Sequence, residues 1–231
     1  MSNLDAILAQ AKAQSTALAP VDGGASVPLP ALTPVTGGAV TAYNMSEDAF
    51  LNPGGMECDS YIQVKPEGIK LSKDWQGLID DFEAILDLGD IQYFMGIRKE
   101  VGSTVTYAKT YDGVSTPRGE NFAQVVAEFK QSSQKPADTY RGADIPLELV
   151  GNHEAPKGKG TNFEAGQIVG LTTSITGFKP FATFVKKLKQ AGITGRVHVK
   201  CSHSPRKNAA NQDYGVIEWD VVQVLDQAAA A

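Results

Sequence analysis

One segment of the chain alternates between basic and apolar side chains, as a strand with one solvent-facing side does. Because successive side chains of a strand point to opposite faces, the basic ones are expected to stand in a row. Such a row, with a basic loop after it and an aromatic side chain on a return strand, suits an extended phosphate backbone. The side chains concerned are Arg196, His198, Lys200, Arg206, Lys207 and Tyr214. An ordinary amphipathic hairpin with Ile217 and Trp219 in the core is the alternative.

A second set interleaves aromatic and basic side chains over residues 91–111. On a strand over residues 104–110, Tyr107 and Lys109 share a face. Aromatic and cationic side chains on one face are what a platform for stacking bases beside phosphates requires. The members of the set are Tyr93, Phe94, Arg98, Lys99, Tyr107, Lys109 and Tyr111. Aromatic residues are also good strand formers, so a purely structural role is the alternative.

A run of lysines lies on a predicted helix in the second half of the chain. The helical spacing of apolar residues over 181–188 predicts that one stripe of this helix is buried. Lysines stand opposite the stripe, and one more precedes it. They are Lys179, Lys186, Lys187 and Lys189. This face is either a second anion-binding surface or an ordinary solvated one.

The remaining candidates for chemistry are metal ligands and a glycine-rich loop. Cys201 and His203 are close in sequence, but zinc sites usually contain two such pairs, and His153 and Cys58 lie apart. The loop over residues 151–160 lacks the spacing of a known phosphate cradle, and common hydrolase, protease and nucleotide-binding motifs are missing. The sequence therefore predicts no enzyme, no cofactor and no metal site. A phosphate-handling enzyme that uses this loop is the weaker alternative.

The charge of the chain is segregated along its sequence. Residues 151–211 hold ten lysines and arginines against Glu154 and Glu164, a net charge of +8, whereas the whole chain carries −5. Electrostatic effects act over about 8–10 Å at physiological salt, so a local patch governs binding more than the total charge does. The segment predicts an anion-binding surface if its cations converge on one face. Neutralisation by carboxylates from elsewhere in the chain is the alternative.

Periodicity and turn signals predict the elements that carry these residues. The predicted strands cover residues 61–65, 69–71, 91–99, 104–110, 145–151, 168–175, 196–201 and 214–224, and the predicted helices cover 122–129 and 181–190. One segment is ambiguous, because helical spacing from Trp75 to Leu86 competes with a strand over residues 82–88. A long polar loop is predicted over residues 202–213. Pro180 is expected near the first turn of its helix.

The element order predicts an α+β, β-rich fold rather than a βαβ repeat, and it suits a partly open OB-type barrel with two inserted helices. Residues 56–226 are expected to form a single domain. Alanine, proline and glycine predict a flexible arm over residues 1–55, and residues 227–231 a disordered alanine tail. No export signal or membrane-spanning stretch is evident, so we expect a cytoplasmic protein with free thiols at its two cysteines.

Three motifs within residues 168–219 resemble those of a known protein family. They are Thr-Thr-Ser-Ile-Thr-Gly-Phe-Lys-Pro-Phe, Arg-Val-His-Val-Lys after a short basic helix, and Asn-Gln-Asp-Tyr-Gly-Val-Ile-Glu-Trp. This region, about a quarter of the chain, resembles phage-encoded single-stranded-DNA-binding proteins. The resemblance implies an OB-type barrel with a basic, aromatic groove, a role in DNA replication or recombination, and a bacterial host cytoplasm. Many such proteins end in an acidic tail, whereas this chain ends in alanines, so tail-mediated recruitment of partners is not expected.

Two functions from different classes follow from these observations. The first is sequence-independent binding of single-stranded DNA or RNA by a basic groove and aromatic stacking. The second is a structural or assembly protein of virion or scaffold type that forms homo-oligomers through residues 1–55. The first depends on whether the cations of the second half of the chain share one surface.

Overall fold

The computed structural model describes Met56, residues 58–155 and residues 161–225. The predicted arm over residues 1–55 and the predicted tail over residues 227–231 lie outside the described residues. Among the described helices, none is both long and apolar enough to span a membrane.

The described chain forms ten strands and two helices, which confirms the prediction of a β-rich α+β fold. The strands are β1 (Ser60–Tyr61), β2 (Gln63–Lys65), β3 (Gly68–Lys70), β4 (Asp81–Asp87), β5 (Gln92–Val101), β6 (Thr104–Thr110), β7 (Thr139–Leu149), β8 (Ile168–Thr172), β9 (Arg196–Lys207) and β10 (Asp213–Val224). Helix α1 covers Phe122–Ser132 and helix α2 covers Ile175–Gln190. Asn121 and Ser174 begin these helices, since their side chains accept hydrogen bonds from backbone N–H groups of the first turns.

Eight strands form one mixed sheet that forks at β7. The main path runs β1-β8-β7-β4-β9-β10, and a ribbon of β5 and β6 branches from it. The fork arises because β7 pairs with β5 over residues 139–144 and with β4 only at Glu148 and Leu149. Over the described residues this sheet is open, so the predicted OB-type barrel is not confirmed. The fork leaves a concave space between its branches.

Two clusters of apolar side chains hold the branches in place. On the main branch, α2 packs against β10, with the rings of Phe181 and Phe184 centred 5.1 Å and 5.8 Å from that of Trp219. On the ribbon, α1 covers Ile97 with Phe122 and other apolar residues. Each fully buried aromatic side chain contributes about 1.5–3 kcal/mol, so both helices fix their sheets firmly.

One of the two predictions for the segment after Trp75 is wrong. A helix over residues 75–86 is absent from the described structure, and β4 occupies Asp81–Asp87 instead. Phe82, Ala84 and Leu86 are buried at every second position, which is the period of a strand. The spacing of Trp75 and Phe82 matches a helix by coincidence, because Trp75 reaches the core from a turn.

Two other boundaries differ from the sequence prediction. The polar segment after residue 201 is not a loop, because β9 continues to Lys207 and pairs with β10 as far as Asp213. Only residues 208–212 form the turn. Helix α2 begins at Ile175, so Pro180 lies in its second turn rather than near its start.

Candidate functional site

The concave space of the fork is a cleft of about 880 Å³. One wall is the β5–β6 ribbon with Tyr140 of β7, and the other is the start of α2 together with β10. The aromatic and cationic side chains that line it are Phe94, Arg98, Tyr107, Lys109, Arg118, Tyr140 and Trp219. The cleft therefore combines several rings with cations in an open space.

The ribbon presents its aromatic residues to the cleft in cross-strand rows. Tyr107 of β6 stands directly opposite Arg98 of β5. The next row joins Lys109, Gly96 and Tyr140, since Gly96 pairs with both neighbouring strands. Tyr107 is 61% exposed, which is a high value for a tyrosine on a strand. Its ring is therefore accessible to a planar ligand at the mouth of the cleft.

Two glycines leave the space that the rings of Tyr140 and Phe94 occupy against the sheet. A Cβ atom on Gly96 would lie 2.7 Å from Cζ of Tyr140, and one on Gly142 would lie 2.2 Å from Cζ of Phe94. The ring centroid of Phe94 is 6.2 Å from that of Tyr140, in an edge-to-face arrangement. Burial raises the pKa of Tyr140 to about 12, with Tyr107 raising it further and Arg98 lowering it. Tyr140 is thus a neutral aromatic surface at physiological pH.

A buried carboxylate ties the ribbon to the main branch. Asp144 of β7 has no exposed surface, and its Oδ2 lies 2.7 Å from Lys109 Nζ and 2.5 Å from the Tyr111 hydroxyl. Thr172 of β8 donates to its Oδ1 at 2.6 Å. Lys109 Nζ also lies 5.2 Å from the ring centroid of Phe94. Of these two predicted binding residues, Lys109 lines the cleft and Tyr111 does not, and both are tied to the buried carboxylate.

The remaining cations of the cleft are less fully neutralised. Arg98 forms an ion pair with Glu100, and Lys135 binds the same carboxylate at 2.5 Å. Two cations thus share one acid. Arg118 is exposed and has no ion-pair partner among the described residues. The cleft mouth therefore holds Arg98 and Arg118 near Tyr107, with Glu120 as the acidic side chain in the same lining.

The predicted basic row on β9 stands on the outer face of the sheet, away from the cleft. Each member of it is paired with a carboxylate of β4 or β7. The pairs are Arg196 with Glu148 at 2.8 Å, His198 with Glu83 at 2.9 Å, and Lys200 with Asp81 at 3.0 Å. Its hydrogen bond to Asp81 raises the pKa of Lys200. Arg196 and Lys200 are therefore neutralised by carboxylates from earlier in the chain, which is the alternative that the sequence left open.

The other predicted residues are dispersed over the molecule. Arg206 is 2.7 Å from Glu218, and Lys207 is 3.6 Å from Asp213, within the β9–β10 hairpin that also contains Tyr214. Lys179 is exposed on α2. Tyr93 precedes Phe94 on β5 and therefore faces away from the cleft.

The prediction from sequence missed two residues that line the cleft, Arg118 and Tyr140, and the buried Asp144 behind its wall. Tyr140 covers Gly96 of the neighbouring strand, as an aromatic ring often does with a glycine across a pair of strands. The pairing that brings it over Gly96 has no local signature. Arg118 lies in the loop before α1, and its place in the cleft depends on the packing of that helix.

Metal ligands do not cluster in the part of the chain that is described, where no three His, Cys, Asp or Glu side chains come together as a metal site. Cys201 is buried on β9, and His203 Nε2 lies 2.8 Å from the carbonyl oxygen of Lys65. Comparison with protein-family models, curated proteins and solved structures finds no match to this chain. Its function must therefore be inferred from the cleft.

Proposed function

We propose that this protein binds single-stranded nucleic acid in the cleft, without sequence preference. The observation that carries the proposal is the exposed ring of Tyr107 beside Arg98, with Tyr140 behind them. Every base has a flat face that can stack on an aromatic ring, so such a surface tolerates any sequence. The proposal requires an open cleft and does not depend on closure of the sheet into an OB-type barrel.

A single strand fits this chemistry better than a duplex does. In a duplex the faces of the bases are stacked on one another, so aromatic side chains reach them only when the bases are unpaired. The small number of cations in the cleft also favours this interpretation. Arg98 and Arg118 can neutralise a small number of phosphates, so stacking contributes more of the affinity than charge does.

The outer face of β9 contributes little under this proposal. Its cations already have carboxylate partners, and a phosphate would have to replace them. The proposal therefore assigns nucleic-acid binding to the cleft residues and not to Arg196, His198 and Lys200.

The test measures fluorescence anisotropy of labelled oligo-dT with the wild type, Tyr107→Ala and Tyr93→Ala. Both tyrosines are exposed on the ribbon, but only Tyr107 lines the cleft. Loss of one stacked base costs about 1–3 kcal/mol, so Tyr107→Ala should weaken binding about 5- to 150-fold. Tyr93→Ala should bind as the wild type does.

Two results would contradict the proposal. The first is an absence of wild-type binding to oligo-dT at low salt. The second is an equal loss of affinity in Tyr107→Ala and Tyr93→Ala, since that would locate the ligand outside the cleft. A duplex of matched length should bind more weakly than the single strand.

A further inference from the structure

The outward face of α2 carries positive charge only. The helix has 16 residues, and none of them is acidic. Its buried side chains, Phe181, Phe184, Val185 and Leu188, are all apolar. Its four lysines are all exposed on the opposite side, namely Lys179, Lys186, Lys187 and Lys189. Among the remaining exposed residues of this face, Thr183 and Gln190 are neutral.

These lysines differ from Arg196 and Lys200 of β9, because no carboxylate partner for them lies among the described residues. None of the four forms an ion pair with any residue that the structure describes. The charge of this face is therefore available to a ligand. Such a surface attracts a polyanion at a distance of about 8–10 Å at physiological salt.

The lysine face continues directly from the cleft. Ile175, Thr176 and Gly177, the first residues of α2, line the cleft. Lys179 lies within one turn of Thr176, and Lys186 lies seven residues further along the same side. At 1.5 Å per residue the two lysines are separated by about 10 Å along the helix axis. A chain that leaves the cleft over the start of α2 therefore meets two successive cations.

We infer that a single strand bound in the cleft continues along the outward face of α2, where Lys179 and Lys186 bind its phosphates. The inference rests on the proposed function, because the cleft holds one end of the strand. It adds that the binding site is longer than the cleft. The helix is a contact for the sugar–phosphate backbone and reads no base.

The experiment compares two lengths of oligo-dT, about 5 and about 20 nucleotides, which span the usual range of site sizes. The test variant is Lys179→Gln with Lys186→Gln. The matched control is Lys73→Gln with Lys130→Gln, which removes the same charge from exposed lysines that do not line the cleft. Glutamine preserves helix propensity, so α2 should remain folded. Affinity is measured as a function of salt concentration.

For the long oligonucleotide, the test variant should bind on the order of tenfold more weakly at 0.1 M salt. The slope of the logarithm of its binding constant against the logarithm of salt concentration should fall in magnitude by about 1.4. This is the value for two lost phosphate contacts, at about 0.7 for each phosphate of a single strand. The short oligonucleotide and the control variant should show neither change. An unchanged slope for the long oligonucleotide, or an equal loss at both lengths, would overturn the extended path. If Tyr107→Ala still weakens binding in that case, the cleft remains the binding site and only the path along α2 is excluded. A wild type that binds neither length would contradict both proposals.

Discussion

Two strands of this protein carry basic side chains, and the surroundings of these side chains differ. On β9, Arg196 pairs with a carboxylate of β7 and Lys200 with one of β4, so each cation has its own acid. On β5, Arg98 shares Glu100 with Lys135 and stands opposite the exposed ring of Tyr107. The same residue types thus form a neutral sheet surface in one place and a cationic, aromatic cleft wall in the other.

The difference shows that a segment of high net charge need not form a charged surface. Residues 151–211 carry +8 along the sequence, but Arg196, Lys200, Arg206 and Lys207 each pair with a carboxylate from outside this segment. The lysines of α2 remain unpaired, because none of them forms an ion pair with a carboxylate among the described residues. The location of the acids in three dimensions decides which cations remain available.

The largest expected effect is on the buried ion pair behind the cleft. Removal of one partner of a buried pair usually costs about 3–5 kcal/mol, because the other charge is left uncompensated. Asp144→Ala should therefore lower the free energy of unfolding by about that amount. Asp81→Ala, which frees Lys200 on the exposed outer face, should cost less than about 1 kcal/mol. Urea denaturation of both variants measures the two free energies of unfolding. Similar losses of stability would show that the exposed ion pair contributes as much as the buried one.

The next effect concerns the rings that line the cleft. Gly142→Ala places a Cβ atom within 2.2 Å of Phe94, so the ring must move. Overpacking of this kind costs about 1–3 kcal/mol and should also weaken oligo-dT binding. Gly151→Ala is the control, since a Cβ atom there meets nothing within 4 Å. Thermal denaturation and anisotropy should separate the two variants, and a neutral Gly142→Ala would mean that the aromatic wall is loosely packed.

Much of the ribbon that forms the cleft wall could be predicted from the sequence. The segments 91–99 and 104–110 alternate and are joined at Gly102, and the structure confirms them as β5 and β6. Their signals are local, because the strands are neighbours in the sequence. The same locality allowed Arg98 and Tyr107 to be recognised as members of one set.

The outer face could not be predicted, because its pairs join distant parts of the chain. His198 and Glu83, for example, are separated by 115 residues. Nothing in the pattern around His198 indicates which strand lies beside it. The extension of β9 to Lys207 was missed for a related reason, since its polar residues form a strand only by pairing with β10.

A smaller effect is expected for single arginines of the two regions. Arg98→Ala removes a cation at the mouth of the cleft and should weaken oligo-dT binding by about 1 kcal/mol, or roughly fivefold. Arg196→Ala should change binding less than twofold, since Arg196 is neutralised by Glu148. Anisotropy at constant salt measures both. A larger loss for Arg196→Ala would move the ligand to the outer face of β9.

The smallest effect concerns His153, which belongs to the basic segment in sequence but packs against Trp75, with the ring centroids 6.3 Å apart. Burial lowers the pKa of His153 below its ordinary value near 6.5. The unfolded chain therefore binds this proton more readily, and stability should fall as the pH drops from about 7.5 to 5.5. His153→Phe should reduce this fall in urea denaturation, whereas His198→Gln on the outer face should retain the His153 contribution. If His153→Phe leaves the dependence of stability on pH unchanged, the His153 ring is accessible to solvent and its burial does not affect stability.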